Sequence, residues 1–258
     1  MFQKVHHKKR FGQHFIIDQN VIDKLVTNIS PSKKDFILEI GPGNGAMTKY
    51  LINKVENMIL IEKDTDLLDD LNIIIDEYPN CVLINNDILK YNLNQIDKRI
   101  RVVGNLPYNI STEIIFKMCS YNKIIDIHFM LQKEVVDRII ATRNMSNYGR
   151  LSVMTQAYFE VKKLFNISEH VFYPKPKVKS AFIRLKPKKY LFDNKTHENV
   201  FFEIVKDAFS GRRKMIKKSL SEYLVLSSFN ELNINPEFRA ENLSVNDYIS
   251  ISRYVKKI

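Results

Sequence analysis

The stretch Phe36-Ile37-Leu38-Glu39-Ile40, running directly into Gly41-Pro42-Gly43-Asn44-Gly45, decides how this chain folds. A short apolar run followed by closely spaced glycines reads as a buried strand ending in a tight loop. Past the loop, Met47, Tyr50 and Leu51 fall at helical spacing. Glycines between a strand and a helix let the backbone approach a ligand closely, and the amino end of the helix favours negative charge.

The same alternation extends to either side. Upstream, Asp18 is placed to cap a helix carrying Val21, Ile22, Leu25, Val26 and Ile29, which Pro31 ends. Downstream, a strand at 58–61 closes on Glu62, and a helical segment follows with Leu67, Leu68, Leu71, Ile74 and Ile75. A strand at 81–84 then leads to Asp87, one at 100–103 leads to Asn105-Leu106-Pro107-Tyr108, Ser111 opens a helix, and 127–131 forms a further strand. Strands alternating with helices predict an α/β fold whose parallel sheet is covered on both faces, with the ligand at the carboxyl ends of the strands. Glu62, Asp87 and Asn105 each lie just past a strand, so the spacing predicts that they meet beside the glycine loop. Around Pro187 the pattern changes. Three apolar faces follow, on Phe201 to Phe209, on Leu220, Tyr223 and Leu224, and on Val245 to Val255, which predicts a small all-helical domain after a linker near 187–196.

With 40 Lys+Arg against 29 Asp+Glu, the chain has a formal net charge of +11. The excess is localised: residues 62–77 hold seven acids and one Lys, whereas 175–189 hold seven basic residues and no acid. Drift towards AT-rich codons does not predict such segregation; a polyanionic partner, nucleic acid above all, does. Lys4, Lys8, Lys9 and Arg10 form a basic arm, Lys175, Lys177 and Lys179 a second cluster, and Arg212, Arg213, Lys214, Lys217 and Lys218 a third within one expected helix. Together they predict a surface that follows phosphates and binds more weakly as salt rises. The isolated Cys81 and Cys119 exclude a disulfide framework or a zinc site, and His6, His7, His128, His170 and His197 lack ligand spacing. No metal is expected. Neither a secretory signal nor a membrane span is apparent, which points to the cytoplasm.

Gly41-x-Gly43-x-x-Ala46 with Glu62 downstream satisfies the dinucleotide fingerprint, so the loop alone leaves a nicotinamide enzyme and a methyltransferase both open. Glu39, two residues before the loop, and Asp87, after the third strand, favour the methyltransferase. Asp87 suits the adenine amino group of S-adenosylmethionine, and Glu62 its ribose hydroxyls. Asn105 to Tyr108 then carry the chemistry. The lone pair of an aromatic amine is delocalised into its ring. An amide oxygen of Asn105 and the carbonyl of Leu106 could accept both N–H bonds and favour a pyramidal nitrogen. Pro107 stiffens the turn, and Tyr108 offers a face to an unstacked base, a contact worth about 1–3 kcal/mol.

The sequence resembles the rRNA adenine N6-dimethyltransferases, most closely the KsgA-type small-subunit enzymes. Matching stretches run from Arg10 to Phe15, Glu39 to Gly43, Gly104 to Thr112 (GNLPYNIST), Phe129 to Glu134 (FMLQKE), Tyr148 to Gln156 (YGRLSVMTQ) and Phe172 to Leu185 (FYPKPKVKSAFIRL). Ala208-Phe209-Ser210, Arg212-Arg213-Lys214 and Leu243-Ser244-Val245 continue the match. Gly211 and Met47 depart from the usual pattern. The resemblance implies a Rossmann-like class I methyltransferase fold with a mostly parallel seven-stranded sheet. Residues 1–188 would form the S-adenosylmethionine domain with its basic arm, and 189–258 a helical domain for RNA or ribosome binding. It implies cofactor contacts at His14, Ile16, Gly41, Gly43, Glu62, Asp87 and Asn105. The target adenine would be held by Asn105, Leu106 and Tyr108, with Phe172 stacking from the other side. It further implies a monomer that dimethylates two adjacent adenosines in the 3′-terminal hairpin of 16S rRNA within the assembling small subunit, and so aids its maturation. Alternatives are a large-subunit rRNA methyltransferase conferring antibiotic resistance, a non-catalytic assembly factor, and a nicotinamide dehydrogenase.

Overall fold

The structure, a computed structural model, describes residues 13–211 and 213–256; the basic arm expected at 1–12 and the basic residue Arg212 lie outside the described residues. The chain divides into two compact units. The first takes the chain up to Val136 together with Lys162–Pro187, and the second takes Asp137–Val161 together with the chain from Lys188 onward.

In chain order the first unit presents β1 (Phe15–Ile16), α1 (Gln19–Ile29), β2 (Phe36–Ile40), α2 (Thr48–Leu51), β3 (Asn57–Glu62), α3 (Leu68–Ile75), β4 (Cys81–Asn85), β5 (Ile100–Asn105), α4 (Ser111–Cys119) and β6 (Ile124–Gln132). The chain continues through α5 (Lys133–Ile139), α6 (Arg150–Tyr158) and β7 (Phe159–Ile167), followed by β8 (Phe172–Tyr173) and β9 (Ser180–Pro187). Seven strands form one sheet in the order β4-β3-β2-β5-β6-β9-β7. The pairs β4–β3, β3–β2, β2–β5 and β5–β6 are parallel, whereas β9 runs antiparallel to β6. This is the α/β, mostly parallel, Rossmann-like sheet expected of the chain. The strand order reverses between β2 and β5, the switch point at which such sheets open a crevice.

Local chemistry explains the elements around that point. In α1 the Asp18 side chain accepts the Val21 N–H, and Ile22, Leu25, Val26 and Ile29 are buried at i, i+3, i+4 and i+7, each worth about 1.5–3 kcal/mol. The helix stops at Ser30, which is left-handed (φ 50°). β2 and β5 are almost wholly buried because a central parallel strand is covered on both faces. They also touch through their backbones: a Cβ built on Gly104 would lie 2.7 Å from the Ile40 carbonyl oxygen, so only glycine fits there.

At the amino end of β5, Arg101 is almost fully buried. Its Nε and Nη2 donate to the two Asp126 oxygens (2.9 and 2.9 Å) and Nη1 to Asp35 (2.8 Å). Nη1 also reaches the Ser30 carbonyl (3.1 Å) and Nη2 the Ile29 carbonyl (2.5 Å). One guanidinium thus ties the end of α1, the approach to β2 and the start of β6 to β5.

The second unit adds α7 (Lys195–Ala208), α8 (Ile216–Ser219), α9 (Leu226–Glu231) and α10 (Val245–Lys256). Phe201, Ile204, Val205 and Ala208 of α7 are buried, as are Tyr248, Ile249 and Ile251 of α10. His197 Nε2 and Ser252 Oγ, 2.9 Å apart, join these two helices. The unit also includes α6, whose residues are buried nearly all round, so no polar stripe advertises it as a partner of the C-terminal helices. This segment falls within the 1–188 expected to form the cofactor domain. A correction concerns the basic cluster at 212–218. Among the described residues 213–215 precede any helix, Met215 bridges to Arg239, and only the short α8 follows, so Leu220 and Leu224 are buried in turns rather than along one helix face.

Candidate active site

At the carboxyl end of the sheet the first unit encloses a cavity of about 290 Å³ lined by Gly41, Gly43, Glu62, Asp87, Asn105, Leu106 and Tyr108, with His14 and Ile16 from the segment around β1. Every expected site residue except Phe172 therefore converges on one cavity.

The glycine loop is built for close approach. Gly41 and Gly43 both have positive φ (65° and 61°), and a Cβ on Gly43 would fall 2.8 Å from the Phe15 ring. Glu62 reaches back under this loop from the end of β3: its Oε2 accepts the Gly43 N–H (3.1 Å), and its Oε1 accepts those of Lys63 and Asp64 (2.8 and 2.8 Å). Three backbone donors orient the carboxylate and leave acceptor capacity on Oε2. Burial raises the Glu62 pKa, and those N–H groups oppose the rise. Beneath the loop, Glu39 is almost completely buried and accepts from Thr48 Oγ1 (2.7 Å); burial pushes it up to about 7. At the end of β4, Asp87 accepts from Lys63 Nζ (2.8 Å) and from the Leu89 N–H (2.9 Å); the Lys63 bond is the main reason its pKa is lowered.

Across the switch point, β5 delivers Asn105 to the opposite lip. Its Nδ2 donates to the His14 carbonyl (2.8 Å), which fixes the amide and leaves Oδ1 as an acceptor. The buried Leu106 follows, its N–H on the Met130 carbonyl (3.2 Å). Tyr108 is half-buried and its hydroxyl shares a 2.7 Å hydrogen bond with Ser180 Oγ, while burial raises its pKa. The His14 ring lies 5.6 Å from the Tyr108 ring, tilted by 32°, and His14 Nδ1 contacts the Pro174 carbonyl oxygen (2.6 Å).

Phe172 requires correction. It pairs with Ile16 in the two-stranded β1–β8 sheet and is only 3% exposed, packed in an apolar cluster with Ile16, Met130 and Phe182. Successive strand residues face opposite ways, so Tyr173, 59% exposed, takes the outward position. Sequence reasoning also missed Gln13, Phe15, Lys63 and Ile88 on the cavity wall and Ser180 behind Tyr108. Ser180 lies in the FYPKPKVKS stretch, but no spacing rule pairs it with Tyr108. Among the described residues no group of His, Cys, Asp and Glu is placed to hold a metal ion, and no helix is long and apolar enough to cross a membrane.

Comparison with known proteins matches this architecture. The family model described as ribosomal RNA adenine dimethylase matches residues 4–257. A protein of Nitrosomonas eutropha named ribosomal RNA small subunit methyltransferase A is 41% identical over 253 residues, which cover 97% of this chain and 98% of that protein. One of the same name from Francisella tularensis subsp. novicida is 41% identical, covering 99% and 100%. Among solved structures, a dimethyladenosine transferase from Plasmodium falciparum superposes with a TM-score of 0.83 at 25% identity, covering 95% of this chain and 98% of that one. The 23S rRNA methyltransferase ErmE gives a TM-score of 0.72 at 22% identity, covering 94% and 99%, and shares the fold.

Proposed function

Because the chain belongs to the ribosomal RNA adenine dimethylase family, we propose that its cavity holds S-adenosylmethionine and that Asn105, Leu106 and Tyr108 present an rRNA adenine to it. The protein is an S-adenosylmethionine-dependent rRNA adenine dimethyltransferase. The single observation that carries the assignment of roles is Asn105, tethered through Nδ2 at the mouth of a glycine-lined cavity with its oxygen left to accept.

The residues present fit this cofactor. Gly41 and Gly43 admit a ligand against the backbone, Glu62 has acceptor capacity for ribose hydroxyls, and Asp87 can accept from an adenine amine. His14 and Ile16 close the cavity from the other side. When bound, the cofactor supplies an electrophilic methyl carbon. Asn105 Oδ1 and the Leu106 carbonyl accept the two N6 hydrogens and turn the nitrogen lone pair towards that carbon. Tyr108 supports the base face, with Ser180 fixing the phenol at its far edge. In-line transfer depends on proximity and orientation more than on a strong base, and the surplus proton leaves for solvent. With Phe172 buried, stacking is assigned to Tyr108.

The substrate we propose is the pair of adjacent adenosines in the 3′-terminal hairpin of 16S rRNA within the assembling small subunit. The names of the 41%-identical relatives support the small subunit. We also propose that the helical second unit, with Arg213, Lys214, Lys217 and Lys218, contributes to RNA binding. The test is methyl transfer from labelled cofactor to small and large subunits, each isolated from cells lacking the modification. Dimethyladenosine in the 3′-terminal fragment is the expected product; labelling confined to large-subunit rRNA, or no labelling, overturns the substrate assignment.

Glu39 gives the site a pH signature. With its pKa near 7, the group gains charge between pH 6 and pH 8, and the added negative charge favours the cationic sulfonium over the neutral thioether product. The ratio of S-adenosylmethionine to S-adenosylhomocysteine affinity is expected to rise about fivefold over that range, corresponding to roughly 1 kcal/mol of screened attraction. Glu39→Gln should flatten the ratio. Calorimetric titrations at both pH values check this.

A further inference from the structure

The turn after β4 is closed on Asp87: the Lys90 and Tyr91 N–H groups both donate to the Asp87 carbonyl (2.9 and 2.9 Å), and the Leu89 N–H donates to its carboxylate. From outside the turn, Lys117 of α4 places its ammonium on two of its carbonyls, Leu89 (3.0 Å) and Tyr91 (2.7 Å). The helix that carries Lys117 begins at Ser111, directly after the Asn105–Tyr108 segment, and its Ile114 lines the same cavity as Ile88 of the turn. One helix therefore abuts the base-binding loop at its start and clamps the Asp87 turn near its end. A half-buried lysine spends most of its hydrogen-bonding capacity on these carbonyls, and charge-assisted bonds of this kind are about twice as strong as neutral ones. Burial lowers its pKa, and the Asp87 charge opposes the shift.

We infer that Lys117 is a positioning residue for the cofactor's adenine ring, acting through the 87–91 turn that it holds against α4. The inference rests on the reading that Asp87 accepts the adenine amine. Lys63, by contrast, is exposed and grips the Asp87 carboxylate directly, so it sets the charge of that group rather than the path of the backbone.

The experiment measures binding of S-adenosylhomocysteine and of its 6-oxo analogue, S-inosylhomocysteine, together with steady-state methyl transfer, for the full-length protein and its variants. The wild type should prefer the adenosyl form, and Asp87→Asn should weaken that preference; if either result fails, the Asp87 reading falls and the inference with it. Given both, Lys117→Met is expected to weaken S-adenosylhomocysteine binding about tenfold and to bring the ratio of the two dissociation constants close to one. Turnover at saturating cofactor should stay within about twofold, and Lys117→Arg, which can still span two carbonyls, should restore most of the preference. Wild-type preference and affinity in Lys117→Met, or an equal loss of affinity for both ligands, overturns the inference while leaving the Asp87 reading intact. Should Lys117→Met fail to fold, Lys117→Gln, with donors for one carbonyl at a time, is read by the same criteria.

Discussion

Asn105→Ala is expected to lower turnover about a hundredfold, the scale on which removing one preorganised hydrogen-bonding group slows a reaction. Two losses coincide in this variant. The amine loses the Oδ1 acceptor, and the His14 carbonyl loses the Nδ2 donor that held the lip in place. Affinity for S-adenosylhomocysteine should change by no more than about threefold, because the glycine loop, Glu62 and Asp87 are untouched. Asn105→Asp should not rescue the activity: its oxygens both repel the His14 carbonyl, so the side chain turns away from the geometry that serves the amine. Single-turnover transfer to under-methylated subunits at saturating cofactor, beside calorimetry, separates the two effects. Near-normal turnover in Asn105→Ala would contradict the role given to its amide.

The second large effect is on stability. Arg101→Leu removes donors to Asp126, Asp35 and the Ile29 and Ser30 carbonyls, and leaves both carboxylates without this counter-charge. Breaking a buried pair from one side costs about 3–5 kcal/mol, far more than an exposed pair contributes. Denaturant unfolding should show a lower midpoint with an unchanged slope. Because Arg101 sits at the amino end of β5 and the cavity at its carboxyl end, the folded variant, assayed well below its melting temperature, should retain its kcat and cofactor affinity. A loss of less than about 1 kcal/mol would show that the carboxylates are solvated well enough without the guanidinium.

Much of this was legible because the decisive signals are local. The apolar run into Gly41-Pro42-Gly43 marks a strand and a loop by residue type alone, and an acid or amide just past a parallel strand has only one end of the sheet to occupy. Glu62, Asp87 and Asn105 were therefore placed together correctly. The strands β7 and β9 were harder. β7 contains Glu160, Lys162 and Lys163, and β9 follows directly on the lysine-rich 175–179 segment, so charge obscured their alternation. Phe172 shows a different limit: the resemblance implies that its ring stacks on the base, but the orientation of a ring on a two-residue strand depends on its pairing with β1, which no local pattern encodes. Lys117 is subtler still. In sequence it is an ordinary basic residue in the last turn of a helix, and its contacts with the 87–91 turn exist only once α4 has docked.

The contact at Gly104 has a consequence for how the reaction tolerates change. No side chain separates β2 from β5 there, and the Ile40 carbonyl meets the glycine directly. On the proposed reading, the loop that would hold the cofactor and the segment that would present the base are therefore joined through peptide groups in register. Side chains such as Asn105 would then aim the base, while the separation of the two strands beneath them belongs to the main chain.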